Sequence, residues 1–288
     1  MNNAPSDHPR TRALVLGGGG STGNAWLIGV VAGLYDAGLD VTTADLMIGT
    51  SAGSTAAAQL SGKDPAALLA DILDDAPLRP ARPNGPVDLT WMTDLIADSE
   101  DAADMRRRMG ALTLEREEAS DGSYQAQWRA TVASRLPSQS WPERRVLVTA
   151  VDAATGEPAV FDRHSGVHLA DAIAASCSSR LPYRIGGTPY IDGGYRRNEN
   201  ADLAAGYERV LVLSPFGGRT LHPLTWRMQL SAQVDELEEG GSRVEVIGPE
   251  SQDLFGTNAM DLSLRPAAAR VGHEQGSSLA EGVAEFWR

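Results

Sequence analysis

The stretch ALVLGGGGSTGNAWLIGVVAGLYDAG, residues 13–38, decides the class of fold. Residues 13–16 are a short apolar run that stops at a cluster of glycines, a pattern that predicts a buried strand. From Asn24 onward, apolar side chains recur at helical spacing until Gly38, which suits the left-handed residue that ends a helix. The stretch therefore predicts a strand, a glycine loop and a helix.

The same pattern follows at once in the next part of the chain. Residues 46–48 predict a second short strand, residues 49–53 a sharp turn, and residues 54–60 a helix of small side chains. Two successive strand-turn-helix units indicate a parallel sheet that is covered by helices. We therefore predict a three-layer α/β/α fold with a mostly parallel central sheet.

The remaining chain completes this prediction. Residues 1–12 are polar and predict a flexible tail, so that residues 13–288 form a single catalytic domain. Residues 62–142 mix charged and apolar side chains, which predicts a mostly helical insertion that caps the sheet. Further on, the patterns predict strands at 145–151, 158–161, 189–191, 210–213 and 244–247, and helices at 169–176, 226–239 and 277–287.

Charge and cysteine content narrow the range of partners. The 288 residues carry a formal net charge of −13, which disfavours nucleic acid and strongly anionic bilayers. Neutral or small substrates, and peripheral contact with a neutral or zwitterionic membrane, remain compatible with this charge. No export signal or spanning segment is evident, and the single cysteine, Cys177, fits a reducing compartment. We expect a cytoplasmic protein.

The glycine loop at residues 18–23 predicts a site for negative charge, because its amides and the positive end of a helix dipole face the turn. One occupant is the pyrophosphate of a dinucleotide, since Gly18, Gly20 and Gly23 match the G-x-G-x-x-G spacing. Asp40 or Asp45 would then bind the ribose. The other occupant is the oxyanion that forms when an acyl carbonyl is attacked.

The second turn favours the oxyanion. Gly49-Thr50-Ser51-Ala52-Gly53 is a G-x-S-x-G motif between a predicted strand and a predicted helix, the context of a nucleophile elbow. In such an elbow a strained backbone exposes the serine hydroxyl, and the flanking glycines remove side chains that would collide. A dinucleotide site leaves this motif unexplained.

A base for Ser51 is less evident. The histidines lie in predicted tails, loops or surface positions. Asp192-Gly193-Gly194 is better placed, because the carboxylate closes a predicted strand and the glycines let the chain turn away. An alternative is that Asp192 only caps a turn. As a base it requires burial or a short bond to Ser51, since an ordinary aspartate is weakly basic.

Together these motifs resemble the patatin-like phospholipases, in order and in approximate spacing. The resemblance rests on residues 18–23, 49–53, Ala174-Ala175-Ser176 with Leu181-Pro182, and residues 192–194. It implies hydrolysis of lipid acyl esters by a serine–aspartate dyad that uses neither histidine, metal nor cofactor. The implied residues are Ser51 and Asp192 for catalysis, Gly18, Gly19, Gly20 and Ser21 for the oxyanion hole, Gly49 and Gly53 for the elbow, and Gly193 and Gly194 for the turn after the base.

The chain departs from the family pattern at Thr22, where many members have arginine or lysine. The backbone donors survive this change, but any anchoring of a headgroup or of the loop by that cation is lost, and with it the argument that a phospholipid is the preferred substrate. Two other hypotheses stay open on the sequence: a non-catalytic lipid- or partner-binding protein on the same fold, and a dinucleotide-binding oxidoreductase.

Overall fold

A computed structural model of the protein describes residues 11–74 and 89–288. Its strands are β1 (Arg12–Leu16), β2 (Leu46–Thr50), β3 (Arg145–Asp152), β4 (Pro158–Phe161), β5 (Tyr183–Ile185), β6 (Thr188–Asp192), β7 (Arg209–Leu213) and β8 (Arg243–Ile247). Its helices are α1 (Gly20–Asp36), α2 (Ala52–Gly62), α3 (Pro65–Asp74), α4 (Thr90–Ala97), α5 (Ala102–Glu118), α6 (Tyr124–Ser134), α7 (Leu169–Ser176), α8 (Leu230–Glu239) and α9 (Arg265–Trp287).

The strands form a single sheet in the order β5-β6-β3-β2-β1-β7-β8, and β4 also pairs with β3. The pairs from β3 to β8 along this order are parallel, whereas β4 and β6 run antiparallel to β3. β5 in turn is antiparallel to β6. The predicted mostly parallel sheet is therefore confirmed, with an antiparallel margin on one side.

Alternate side chains of the parallel strands enter different apolar clusters. Leu14 and Leu16 of β1 pack with α1, α2, α7 and α9, whereas Ala13 and Val15 pack with α8 and the turn that begins at Ala201. Because successive strand residues point to opposite faces, helices cover both sides of the sheet. This arrangement confirms the predicted α/β/α layers.

The helices of the region predicted as a cap, residues 62–142, pack in different apolar clusters. Leu68 and Leu69 of α3 and Val132 of α6 are buried in the same cluster as α1 and α7. α4 and α5 instead form smaller clusters beside β3, β6 and Tyr195. The proline-rich part of this region, residues 75–88, lies outside the described residues, as do residues 1–10 of the predicted tail. Arg12, predicted as tail, already belongs to β1.

Several predicted boundaries are wrong, and the reasons are tertiary. α1 begins at Gly20 rather than Asn24, and α9 begins at Arg265 rather than near Ser277. Glycines interrupt the apolar pattern of α9. The close packing of α9 against α1 requires a glycine at position 276, because an added Cβ on Gly276 would lie 2.2 Å from the Val30 carbonyl oxygen. α8 begins at Leu230 rather than Trp226, because Arg227 adopts a left-handed φ of 52°. β5 was not predicted at all.

None of the helices within residues 11–74 and 89–288 is long and apolar enough to cross a membrane.

Candidate active site

Ser51 lies between β2 and α2 in a conformation that a serine rarely adopts. Its φ is 51° and its ψ is −118°, and strain of this kind costs about 1–3 kcal/mol and clusters at functional sites. The Ser51 amide donates to the Ser176 hydroxyl at 2.9 Å, and the Ser51 carbonyl accepts from the Ser54 hydroxyl at 2.6 Å. These bonds hold the backbone, while the Ser51 hydroxyl makes no capping bond to α2.

The glycines on either side of Ser51 permit a very close approach of backbone. A Cβ on Gly53 would lie 1.9 Å from the Leu16 carbonyl oxygen, and one on Gly49 would lie 2.5 Å from the Ser54 Cα. The start of α2 is therefore pressed against the end of β1, where the glycine loop begins. This contact brings the two predicted turns together.

Asp192 ends β6, and β3 lies between it and Ser51. One of its carboxylate oxygens accepts from the Gly194 amide at 2.8 Å, and its own amide donates to the Ser178 carbonyl at 2.9 Å. Burial raises the pKa of Asp192 to about 6, against hydrogen bonding from the Gly194 amide and the Ser51 hydroxyl. Asp192 thus caps the turn Gly193–Tyr195 and also faces Ser51 with a carboxylate of unusual basicity.

The direction of β6 differs from the one that the sequence argument assumed. We predicted that Asp192 closes a strand of a parallel sheet, but β6 is antiparallel to β3. β3 continues past the end of β2, and β6 returns beside it in the opposite direction. Asp192, at the end of β6, therefore pairs with Ala150, and the preceding residue of β3, Thr149, pairs with Thr50. The carboxylate therefore returns to the level of Ser51.

The glycine loop presents its amides at the start of α1. The first amides of a helix have no acceptor within the helix. Among the described residues, the amides of Gly19, Gly20 and Ser21 have no acceptor, whereas that of Gly18 donates to the Asn198 carbonyl at 3.0 Å. Of the amides predicted for the oxyanion hole, three are available in this structure and Gly18 instead shapes the loop.

An arginine from a distant part of the chain contacts the glycine loop. Arg265, at the start of α9, donates to the Ser21 carbonyl at 2.9 Å and to the Asn24 side-chain oxygen at 3.2 Å. The side chain of Thr22 is fully buried, and its amide donates to the Ala259 carbonyl at 3.0 Å. The sequence contained no signal for Arg265, because it is more than two hundred residues from the loop.

Ser178-Ser179-Arg180, the polar segment that precedes Leu181-Pro182, contacts the Asp192 turn. The Ser178 carbonyl accepts from the Asp192 amide, and the Ser179 carbonyl accepts from the Tyr195 hydroxyl at 3.1 Å. The buried Ser178 hydroxyl donates to the Ala174 carbonyl at 2.7 Å. These serines therefore position the Asp192 turn, and Arg180 is left exposed beside it.

The other candidates lie apart from this site. His273 contacts Asp36 at 2.9 Å and His222 contacts the Thr220 hydroxyl at 2.7 Å. In the described ranges no histidine contacts Ser51 or Asp192. Burial raises the pKa of the Cys177 thiol to about 11, which keeps it protonated and agrees with a packing role.

The residues predicted to bind a ribose are also in the wrong place. Asp40 accepts from the Thr42 amide at 2.9 Å, and Asp45 accepts from the Arg12 amide at 2.9 Å. Both precede β2 at the amino end of the sheet, whereas the glycine loop lies at the carboxyl end of β1. A dinucleotide needs its acidic residue at the carboxyl ends of the strands, so the dinucleotide hypothesis is wrong in its residue assignment.

The described residues combine an α/β fold with a strained serine and a buried carboxylate that faces it. The family model described as patatin-like phospholipase matches residues 14–205. The chain therefore belongs to the patatin-like phospholipase family, a family of lipid hydrolases.

Solved structures extend the comparison at low identity. VipD from Legionella pneumophila is 15% identical, with a TM-score of 0.45 and a match that covers 95% of this chain and 67% of that chain. The type III effector protein ExoU is 15% identical, with a TM-score of 0.39, and the match covers 95% of this chain and 54% of that chain. A comparison with curated proteins returns no match.

Proposed function

We propose that the protein is a serine acyl hydrolase that cleaves carboxylic ester bonds of lipids. The observation that carries the proposal is the pairing of a strained Ser51 with a buried Asp192 whose pKa is raised to about 6. A base with a pKa nearer to neutral accepts a proton from a hydroxyl more readily than an ordinary aspartate does. Family membership supports the same chemistry.

The reaction follows from these groups. The Ser51 Oγ attacks the ester carbonyl carbon and transfers its proton to the Asp192 carboxylate. The amides of Gly19, Gly20 and Ser21 then hold the oxyanion, and each such donor contributes about 10²–10³ in rate. The alcohol leaves with the proton from Asp192. Water attacks the acyl-enzyme, gives its proton to Asp192, and the proton returns to Ser51 as the fatty acid departs.

The proposal assigns residues 13–288 to one catalytic domain, with α4 and α5 as its cap. Trp91, Met92 and Leu95 of α4 pack against a buried cluster that includes Ile191 and Tyr195. The net charge of −13 favours neutral or zwitterionic lipids over anionic ones.

Peripheral contact with a neutral or zwitterionic membrane belongs to the same proposal. Met260 and Leu262 have exposed fractions of 59% and 52%, and they follow Ala259, which binds the glycine loop. The Met260 sulfur lies 3.0 Å from the position that a Cβ on Gly20 would occupy. Exposed apolar side chains beside the glycine loop suit a substrate that is taken from a lipid surface.

The test is hydrolysis of a short and a long p-nitrophenyl ester by wild type, Ser51→Ala and Asp192→Asn, together with fluorophosphonate labelling. Ser61→Ala, in α2, and Asp162→Asn, in the turn after β4, are matched controls. We expect turnover by wild type and both controls, loss in both site variants, and labelling that disappears in Ser51→Ala. Folded wild-type protein that neither turns over nor labels would favour the non-catalytic binding role instead.

A further inference from the structure

The residues 198–200 run beneath the site and contact each of its parts. The Gly18 amide donates to the Asn198 carbonyl at 3.0 Å, and the Asn198 side-chain nitrogen donates to the Gly18 carbonyl at 3.2 Å. Asn198 therefore binds both backbone polar groups of Gly18. It has no role in the reaction steps given above.

The bond from the Asn198 side chain to the Gly18 carbonyl orients the peptide that carries the Gly19 amide, a donor of the proposed oxyanion hole. The Gly18 carbonyl and the Gly19 N–H belong to one planar, trans peptide group, so they point in opposite directions. A run of glycines has no side chains to favour one orientation of that peptide. The Asn198 side chain supplies the preference, because a rotated peptide loses its donor to the Gly18 carbonyl.

Asn198 also fills the space between the glycine loop and the base turn. A Cβ on Gly18 would lie 2.7 Å from the Asn198 side-chain oxygen and 3.6 Å from the Ser51 Cβ. A Cβ on Gly194 would lie 3.7 Å from the same Asn198 oxygen. One amide group thus separates the two loops that must face Ser51.

The orientation of this amide is set by a buried carboxylate. Glu199 is 1% exposed, and it accepts from the Asn198 side-chain nitrogen at 2.9 Å and from the Ser214 hydroxyl at 2.8 Å. A third donor, the Gln233 side-chain nitrogen, lies 3.4 Å away. Three donor groups thus converge on the Glu199 carboxyl group, so the nitrogen of Asn198 rather than its oxygen faces it, and the same nitrogen reaches the Gly18 carbonyl.

Asn200 ties the other parts of the site to this segment. It is fully buried with a left-handed φ of 54°. Its side-chain nitrogen lies 3.0 Å from the Thr50 hydroxyl and 3.2 Å from the Gly193 carbonyl. The residue before the nucleophile and the residue after the base are therefore held by the neighbour of Glu199.

We propose that Asn198 is a positioning residue of the oxyanion hole, which holds the Gly18 peptide so that the Gly19 amide faces the oxyanion, and that Glu199 fixes the Asn198 amide for this task. The inference rests on the proposed function. It extends the site to a segment that no part of the reaction touches directly.

The decisive variant is Asn198→Asp, which keeps the shape but replaces the donor with an acceptor that faces the Gly18 carbonyl and Glu199. We expect kcat to fall about a hundredfold, the loss associated with a small misplacement of catalytic groups, with KM nearly unchanged. Gln139→Glu is the matched control, because its exposed amide donates to the Ala133 carbonyl at 2.9 Å and also becomes an acceptor there. It should keep wild-type activity.

The double variant Asn198→Asp with Glu199→Gln separates positioning from general stability. The introduced glutamine amide can donate to the introduced carboxylate and so remove the repulsion, but the Gly18 carbonyl still lacks its donor. We expect the melting temperature to recover while kcat stays low. Recovery of kcat in the double variant, or unchanged kcat in Asn198→Asp, would overturn the inference. Wild-type protein that neither hydrolyses esters nor labels would instead overturn the proposed function.

Discussion

Ser51 and Asp192 leave their strands at the same level of the sheet, although those strands run in opposite directions. β3 lies between them, since Thr50 pairs with Thr149 and Asp192 pairs with Ala150. Two strand spacings put the backbones about 10 Å apart, a gap that two inward-facing side chains can close. The dyad proposed here is therefore built across a strand rather than along one.

The pH dependence of hydrolysis should report Asp192. Because only the carboxylate accepts the Ser51 proton, and burial raises its pKa to about 6, we expect kcat/KM to rise with pH through about 6 and then level off. Profiles at several temperatures provide the check. An apparent pKa that shifts strongly with temperature would indicate an imidazole, whose ionisation enthalpy is much larger than that of a carboxyl group.

Asp192→Asn should stabilise the protein at alkaline pH. The raised pKa means that the stability linked to the neutral carboxyl is present below about pH 4 and lost as pH rises through the folded-state value. Ionisation then costs about 3 kcal/mol, which asparagine avoids while its oxygen still accepts from the Gly194 amide. Melting curves at pH 4 and pH 8 test this. An equal difference at both values would contradict it.

Gly53→Ala should destabilise the fold as well as the site. A methyl group there would lie 1.9 Å from the Leu16 carbonyl oxygen, and such overpacking costs about 3 kcal/mol. Gly282→Ala in α9 is the control, because nothing lies within 4 Å of its added Cβ. The control should gain about 0.5–1 kcal/mol from the better helix former. Chemical denaturation of both variants measures the two signs.

Arg265→Ala should weaken the start of α1. It removes charged hydrogen bonds to the Ser21 carbonyl and the Asn24 side chain, each worth about 1.5–3 kcal/mol. We expect a lower melting temperature and a roughly tenfold lower kcat, since the Ser21 amide belongs to the proposed oxyanion hole. Arg270→Ala, exposed on the same helix, should change neither. Normal kcat in Arg265→Ala would separate this arginine from the site.

Met260→Ser with Leu262→Ser should weaken binding to neutral vesicles. Full burial of one such side chain contributes about 1.5–3 kcal/mol, so partial burial of both makes a roughly tenfold loss of vesicle affinity the expected result. Co-sedimentation with phosphatidylcholine vesicles measures it, and hydrolysis of a soluble short ester should not change. Leu279→Ser, 39% exposed on α9, serves as the control. Equal losses in the control would point to general apolar adhesion.

Much of this molecule was predictable because the signals are local. The strand-turn-helix units, the G-x-S-x-G elbow and the strands β3 and β4 depend on residues close together in the chain. Ser51 and Asp192 were predicted as the dyad because each lies beside glycines at the predicted end of a strand. Periodicity failed where glycines interrupted it, at the starts of α1 and α9.

The sequence by itself determined the α/β layers, the serine between glycines and the carboxylate that precedes two more. Only the tertiary structure decided that β6 runs antiparallel to β3, that Arg265 reaches Ser21, and that the Asn198 carbonyl accepts from the Gly18 amide. Strand direction and these contacts depend on pairing and packing between distant segments, whose free energy is shared among many residues. No pattern within a short window contains that information.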